Sequence, residues 1–369
     1  MIIETITVSG LFGKAGEIIY RFNPDLNVIT GRNGSGKTTI MKLAWFIVSG
    51  NIIHALREVV FRACTVKTDI YTCSVFRTGP AHCKVILEVG GDTITFEDDT
   101  GDPEHEPFFE SAEDKVKPYL LSMGSSIFFP TFRRIEGGFS LPAEAVSRTR
   151  PSQWASSSDV DDVLSSLSRK LSNKEHIFVA AISTQDINGL LLRRYASFSE
   201  EINSFQQDVS RSVIEKIKHY QRSQSSQVNA DSLLSETREE IEKIEEFRSQ
   251  TMRPLDAVRA LVERLFQHSG ISFGKRLNFG DAAAAVNSDK LSAGEKQMLS
   301  FICYNAFYAN SVIFIDEPEL SLHVDWQRQL YPILQSQNSS NQFIFATHSP
   351  FIYGKYPDKE MVIGTDRGD

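Results

Sequence analysis

The stretch Gly31-Arg32-Asn33-Gly34-Ser35-Gly36-Lys37-Thr38 decides how this chain is read. It meets the pattern GxxxxGK(S/T) at every fixed position. Before it, Leu26-Asn27-Val28-Ile29-Thr30 has strand composition. After it, Thr39 to Val48 carries Ile40, Met41, Leu43, Ala44, Ile47 and Val48 as a helix-like run. Strand, glycine loop and helix in that order are the context a P-loop requires. Glycines let backbone amides close around phosphate oxygens, and the positive end of the following helix faces the same charge. Arg32, Asn33, Gly34, Ser35, Gly36, Lys37, Thr38 and Thr39 are therefore the expected phosphate cradle. Lys37 is placed to reach the outer phosphates and Thr38 to hold Mg²⁺.

Three further signals lie far downstream. The apolar run Val312-Ile313-Phe314-Ile315 ends in Asp316 and Glu317. Residues at the carboxyl end of a buried strand lie beside the ligand crevice. Asp316 suits Mg²⁺ and Glu317 suits polarising an attacking water, while a solvated loop start would explain the same two acids. Leu291-Ser292-Ala293-Gly294-Glu295-Lys296-Gln297 opens a helix, with Ser292 and Glu295 as a capping box and Met298, Leu299, Ile302, Cys303 and Ala306 as its apolar stripe. That helix end is either simply well capped or a second phosphate-binding surface. Thr347-His348-Ser349-Pro350 directly follows the strand-like run Gln342-Phe343-Ile344-Phe345-Ala346, where a histidine can bond a phosphate oxygen. A helix carrying Trp326, Leu330, Ile333 and Leu334 joins the last two strands, which predicts a right-handed parallel crossover.

The rest of the chain bounds the picture. Of 369 residues, 41% are hydrophobic, enough for a substantial core. No apolar run approaches the ~20 residues of a membrane span. The start, Met1 to Val8, alternates like a strand and lacks a basic leader, so no signal peptide, no membrane partner and a cytoplasmic location are expected. Cys64, Cys73, Cys83 and Cys303 form no CxxC pair. Reduced, buried thiols are the expectation, with a zinc site at the three cysteines near His82 as the alternative. The net charge of −8 does not point to nucleic acid, although a local basic patch for DNA is compatible with it.

Ile2–Val8, Leu26–Thr30, Lys84–Val89 and Thr93–Phe96 have strand composition, and Gly90-Gly91-Asp92 signals a hairpin. Residues 97–118 read as an acidic surface loop, and Ile127-Phe128-Phe129-Pro130 as a buried strand stopped by proline. Residues 147–174 are Ser-rich and read as a mobile connection. From about 185 to 268 the pattern is helical, interrupted at Arg222 to Ser226, and forms either a projecting hairpin or a lid on the core. The expected organisation is an N-terminal lobe at 1–135, a mostly helical insertion at 136–284 and a C-terminal lobe at 285–369.

On these motifs the chain resembles the ABC-type ATPase head family, which includes SMC, Rad50 and RecF proteins and the ATPase half of OLD nucleases. The resemblance covers roughly residues 1–50 and 285–350. It implies an α/β P-loop NTPase, with a mixed sheet and a helical insertion, that binds ATP with Mg²⁺ and hydrolyses ATP. Lys37 and Thr38 match Walker A, Asp316 and Glu317 Walker B, Leu320-Ser321-Leu322-His323 the D-loop and His348 the switch histidine. Catalysis would then fall to Glu317, His348 and Lys37, and the metal to Thr38 and Asp316. Leu291 to Glu295 matches the signature motif, so Ser292, Gly294 and Glu295 would act across a homodimer on nucleotide held by the partner copy. The strings from Asp316 to His323 and from Thr347 to Pro350 are most similar to OLD-type and stand-alone antiphage-defence ATPases of the Septu and PARIS kind. Phe128 to Arg134 sits where a Q-loop should fall but holds no glutamine. Arg133 and Arg134 there would serve phosphate, a partner or DNA, or form a plain basic turn. Nineteen residues follow Pro350, too few for a nuclease domain, so a separate nuclease effector is expected. A RecF-like DNA-repair ATPase is the alternative.

Overall fold

A helix that is apolar on almost every side has to be walled on almost every side. The helix after the glycine loop, α1 (Lys37–Val48), buries nine of its twelve residues, because it runs between two sheets. A computed structural model of the chain describes residues 1–99, 110–131, 133–135, 157–182, 184–222, 227–265 and 291–364. They form two compact units, residues 1–183 with 292–369, and residues 184–291.

In the first unit, β1 (Ile3–Ser9), β2 (Glu17–Arg21), β4 (Ala63–Thr68), β5 (Tyr71–Arg77), β6 (Cys83–Val89) and β7 (Asp92–Glu97) make an antiparallel sheet in the order β2-β1-β4-β5-β6-β7. The second sheet is parallel throughout. It contains β3 (Leu26–Thr30), β8 (Ser126–Phe129), β10 (His176–Phe178), β12 (Val312–Asp316), β13 (Gln342–Ala346) and β14 (Glu360–Val362), in the order β10-β8-β12-β13-β3-β14. β3, β12 and β13 are buried at all five positions, as strands covered on both faces must be. Consecutive residues of β8 show the two faces. Phe128 packs against Trp45 of α1 at 5.6 Å, and Phe129 meets Phe301 edge-on at 4.9 Å. Phe301 belongs to α7 (Ala293–Phe307), which covers the opposite face together with α8 (Val324–Gln335). The α/β P-loop fold expected from the sequence is present, with its antiparallel and parallel strands in separate six-stranded sheets. The parallel crossover from β12 through α8 to β13 is present.

Three sequence readings need correction. Residues 97–118 are not all loop, because α3 (Ala112–Leu120) begins at a complete Ser111/Asp114 capping box and buries Ala112, Val116 and Leu120. Residues 100–109 lie outside the described ones. The Ser-rich stretch contains α4 (Ser157–Leu171), and its serines are used internally: Ser168 and Ser172 accept hydrogen bonds from the amides of Ala180 and Phe178. α4 and β10 therefore join the first unit, which runs to residue 183 rather than 135. A short parallel pair, β9 (Arg134–Ile135) with β11 (Ala181–Ile182), joins it as well. Finally, α7 is buried nearly all round rather than along a stripe.

The second unit contains α5 (Thr184–Arg222) and α6 (Gln227–Leu265), 39 residues each. Phe205 stacks on Phe247 at 4.2 Å, and Lys216 bonds Glu240 at 2.5 Å. Both pairs fit one antiparallel register. The expected helix end at Phe266 and the break at 223–226 lie outside the described residues.

The β6–β7 turn shows why glycine stands at 90 and 91. Val89 pairs with Asp92, and both glycines have positive φ, 60° and 97°, as a type I′ turn demands. A Cβ at Gly90 meets nothing within 4 Å. Gly90→Asn is therefore expected to keep or raise stability by up to about 1 kcal/mol, and Gly90→Val to lower it, as read by urea unfolding.

Candidate functional site

β3, β12 and β13 end side by side, and the glycine loop rises from the first of them. Gly31 has φ 143°, and a Cβ there would lie 2.3 Å from the carbonyl of Ile363. Gly36 has φ 101°, and a Cβ there would strike the ring of Phe12 at 2.9 Å. Any side chain at either position collides. Gly36 is also the N-cap of α1 and no side chain caps that helix, so its first amides have no intrahelical partner. Ser35 adds a buried hydroxyl without a partner. A cradle that only glycine fits, ringed by unused donors at a helix N-terminus, suits a phosphate group.

Lys37 is 6% exposed, and all three of its donors are engaged. Nζ donates to the carbonyls of Gly31 at 3.0 Å and Arg32 at 3.1 Å, and lies 2.7 Å from Nε2 of His348. A charged Lys37 can only donate in that contact, an arrangement that calls for the imidazole proton on Nδ1. Burial pushes the Lys37 amine down, against the pull of Glu317, Asp316 and Glu319.

The next residue reaches across the chain. Thr38 Oγ1 donates to Asp316 Oδ2 at 2.8 Å, a contact between positions 278 residues apart. Thr131 donates to the same oxygen. A hydroxyl and a buried carboxylate side by side are the hard-oxygen donors Mg²⁺ prefers, and that ion commonly takes only one or two protein ligands beside substrate phosphates. Glu317 follows with φ 47°, a left-handed conformation costing on the order of 1–2 kcal/mol, and its amide donates to Ala346 O at 2.8 Å. Burial first, then Asp316 and Glu319, raise its carboxyl above the ordinary range.

The structure thus brings Lys37, Thr38, Asp316, Glu317 and His348 together. Arg32, Asn33 and Gly34 lie on the same loop, and Thr39 in the first turn of α1. Ser292, Gly294 and Glu295 stand at the start of α7. There the capping box forms, with Ser292 N to Glu295 Oε2 at 2.7 Å and Glu295 N to Ser292 Oγ at 3.3 Å. A Cβ on Gly294 would sit 2.3 Å from Ser321 O, a reason for glycine within one molecule.

Sequence reasoning misread Arg133. Its guanidinium donates to the carbonyls of Pro130 and Asp316 at 2.8 Å and Glu317 at 3.0 Å, and it is 8% exposed. It braces the end of β12 and is not a surface cation. Thr131 was missed outright. The proline-stopped strand before it was the signal that a loop here returns to the site. The cysteines are all free and buried; burial pushes Cys73, Cys83 and Cys303 up to about 12, and His82 pairs with Asp98 at 2.9 Å. Among the described residues no group of three or more His, Cys, Asp or Glu side chains is placed to hold a metal ion, and no helix is long and apolar enough to cross a membrane.

Residues 122–353 match the model of a family described as an AAA domain, putative AbiEii toxin, type IV TA system. The match takes in the Ser292, Asp316-Glu317 and His348 segments and starts after the glycine loop. Among solved structures the chain is similar to the Smc head domain with an extended coiled coil bound to the C-terminal domain of ScpA from Pyrococcus furiosus. That similarity has 14% identity, 96% of this chain and 91% of that chain covered, and a TM-score of 0.37. It is also similar to an SmcHead bound to the C-winged helix domain of ScpA, at 11% identity, 100% and 96% coverage and a TM-score of 0.40.

Proposed function

We propose, from the premise that this chain belongs to the AAA-domain family whose model it matches over more than half its length, that it is an ATP-binding and ATP-hydrolysing regulatory subunit working as a nucleotide-gated homodimer. The observation that carries this reading is the 2.8 Å contact of Thr38 with Asp316, which seats the glycine loop against a strand-end carboxylate. Lys37 holds the outer phosphates of ATP, exchanging bonds it makes within its own loop. Thr38 and Asp316 hold Mg²⁺, which when bound supplies positive charge against the developing phosphate charge. Glu317 positions the attacking water and takes up its proton, a role its raised carboxyl pKa favours. His348 gives Nε2 to the same region. Ser292, Gly294 and Glu295 of one copy face the nucleotide of the other, so ATP favours the closed pair and its loss reopens it.

The readout of that cycle is a separate effector, a nuclease in bacterial antiphage defence of the Septu or PARIS kind. The family's description as a putative toxin of a type IV system supports a defence role of this general type. The test is sedimentation with Mg²⁺ and a non-hydrolysable ATP analogue. A shift from monomer to dimer that Lys37→Ala abolishes is expected. A chain that binds the analogue and stays monomeric would sink the dimer reading.

A further inference from the structure

Two side chains outside the roles assigned so far grip the histidine segment from the β12 side. Glu319 accepts from both ends of the Thr347-His348 step: Thr347 Oγ1 donates to Oε2 at 2.8 Å, and the amide of His348 donates to Oε1 at 2.8 Å. Gln327 takes the next residue, with Ser349 Oγ donating to its Oε1 at 2.6 Å, while its Nε2 donates to Leu322 O at 2.8 Å. Three consecutive residues after β13 are thus tied to the loop at 319–323. Ser321 in that loop has φ 65°, and its carbonyl occupies the space that keeps residue 294 a glycine. The contacts run without a gap from the start of α7 to His348, and from His348 Nε2 to Lys37 at 2.7 Å.

We propose that Glu319 is a positioning residue for ATP turnover, holding the His348 imidazole where Nε2 meets Lys37, and that Gln327 secures the same segment. This rests on the ATPase reading above. Neither side chain touches the glycine loop. Glu319 fixes the backbone at 348, and that backbone sets where the imidazole stands. Because the same loop packs against Gly294, a displacement of the α7 tip reaches His348 through packing at Ser321 and then through hydrogen bonds within one molecule.

The test has two readouts. In the ligand-free protein, ¹⁵N spectra of the histidine side chains, with His348 assigned by its loss in His348→Ala, report the imidazole directly. The Nδ1-protonated form is expected in the wild type, an averaged pattern in Glu319→Ala, and the wild-type pattern in Glu319→Gln. The amide of Gln can accept from the His348 N–H and donate to Thr347 Oγ1, so both contacts survive. In steady-state assays Glu319→Ala is expected to lower kcat about tenfold or more with KM changed less than about threefold, and Glu319→Gln to restore most of it. In a His348→Ala background the Glu319→Ala effect should nearly vanish. Should Glu319→Ala not fold, Gln327→Met, which releases Ser349 and the Leu322 carbonyl but leaves both Glu319 contacts with Thr347 and His348, is read in the same two ways. Wild-type spectra and kcat in Glu319→Ala, or Glu319→Gln as impaired as Glu319→Ala, overturn the proposal. A wild-type protein that turns over no ATP overturns the ATPase reading instead, and the imidazole spectrum still decides the position of His348.

Discussion

Glu317→Gln is expected to lower ATP turnover by about 10²–10⁴-fold, the range for loss of a positioned general base, with nucleotide affinity nearly unchanged. The substitution keeps the size of the side chain and removes its ability to take a proton. The dimer formed with Mg²⁺-ATP should therefore persist in the variant and decay quickly in the wild type. The pH dependence has a definite sign. Burial, Asp316 and Glu319 raise the Glu317 carboxyl above its ordinary value, so the ionised base is lost sooner than for a free glutamate as pH falls. The stability contribution runs the other way. A carboxyl with a raised folded-state pKa holds its proton more tightly when folded, so its contribution is full below the ordinary pKa and is lost as pH rises through the raised value. At neutral pH Gln should therefore raise the melting temperature of the ligand-free protein while abolishing turnover. Fast turnover in the variant, measured by phosphate release, would remove Glu317 from its assigned role.

The site was legible where chemistry and pattern coincide. Gly31 to Thr38 needs glycine at fixed places for steric reasons, and the collisions at Gly31 and Gly36 display those reasons. Val312 to Glu317 reads as a buried strand ending in acids because a parallel strand covered on both faces must be continuously apolar. The elements that were missed are stabilised by partners distant in sequence. α3 carries a visible Ser111/Asp114 box, yet its acidic start and Pro118 look like loop until Ala112, Val116 and Leu120 find the core. The serines of α4 look like linker because composition does not reveal that Ser168 and Ser172 accept from amides twelve and six residues away. The burial of α7 extends beyond its expected apolar stripe, because Asn305 is satisfied by Leu334 O at 2.9 Å, by Gln337 and by Ser339. A polar residue outside the expected stripe thereby becomes core.

Arg133 is the sharpest case of that kind, and Arg133→Ala should carry a stability penalty as large as that of truncating a buried aromatic side chain. Burial drives its guanidinium down to about 10, and Asp316, Glu319 and Glu317 oppose that shift, so it stays charged at neutral pH. Three carbonyl oxygens, on Pro130, Asp316 and Glu317, depend on it, and its plane lies 5.7 Å from the Phe301 ring centre. Removing it deprives three partly or fully buried acceptors at once and leaves the nearby acids uncompensated. A cost of about 3–5 kcal/mol is expected. That corresponds to a fall in melting temperature of roughly 10 °C for a unit of this size. Arg133→Lys should recover only part, because one ammonium cannot reproduce the fork that spans Pro130 and the β12 end. The two readings of this residue separate cleanly in one experiment on ligand-free protein. A brace lowers the unfolding temperature before any nucleotide is added. A phosphate, partner or DNA contact leaves that temperature alone and weakens only binding. Because the carbonyls it holds belong to Asp316 and Glu317, the brace also predicts that any folded Arg133→Ala protein loses turnover along with stability, and that turnover recovers in Arg133→Lys no further than stability does.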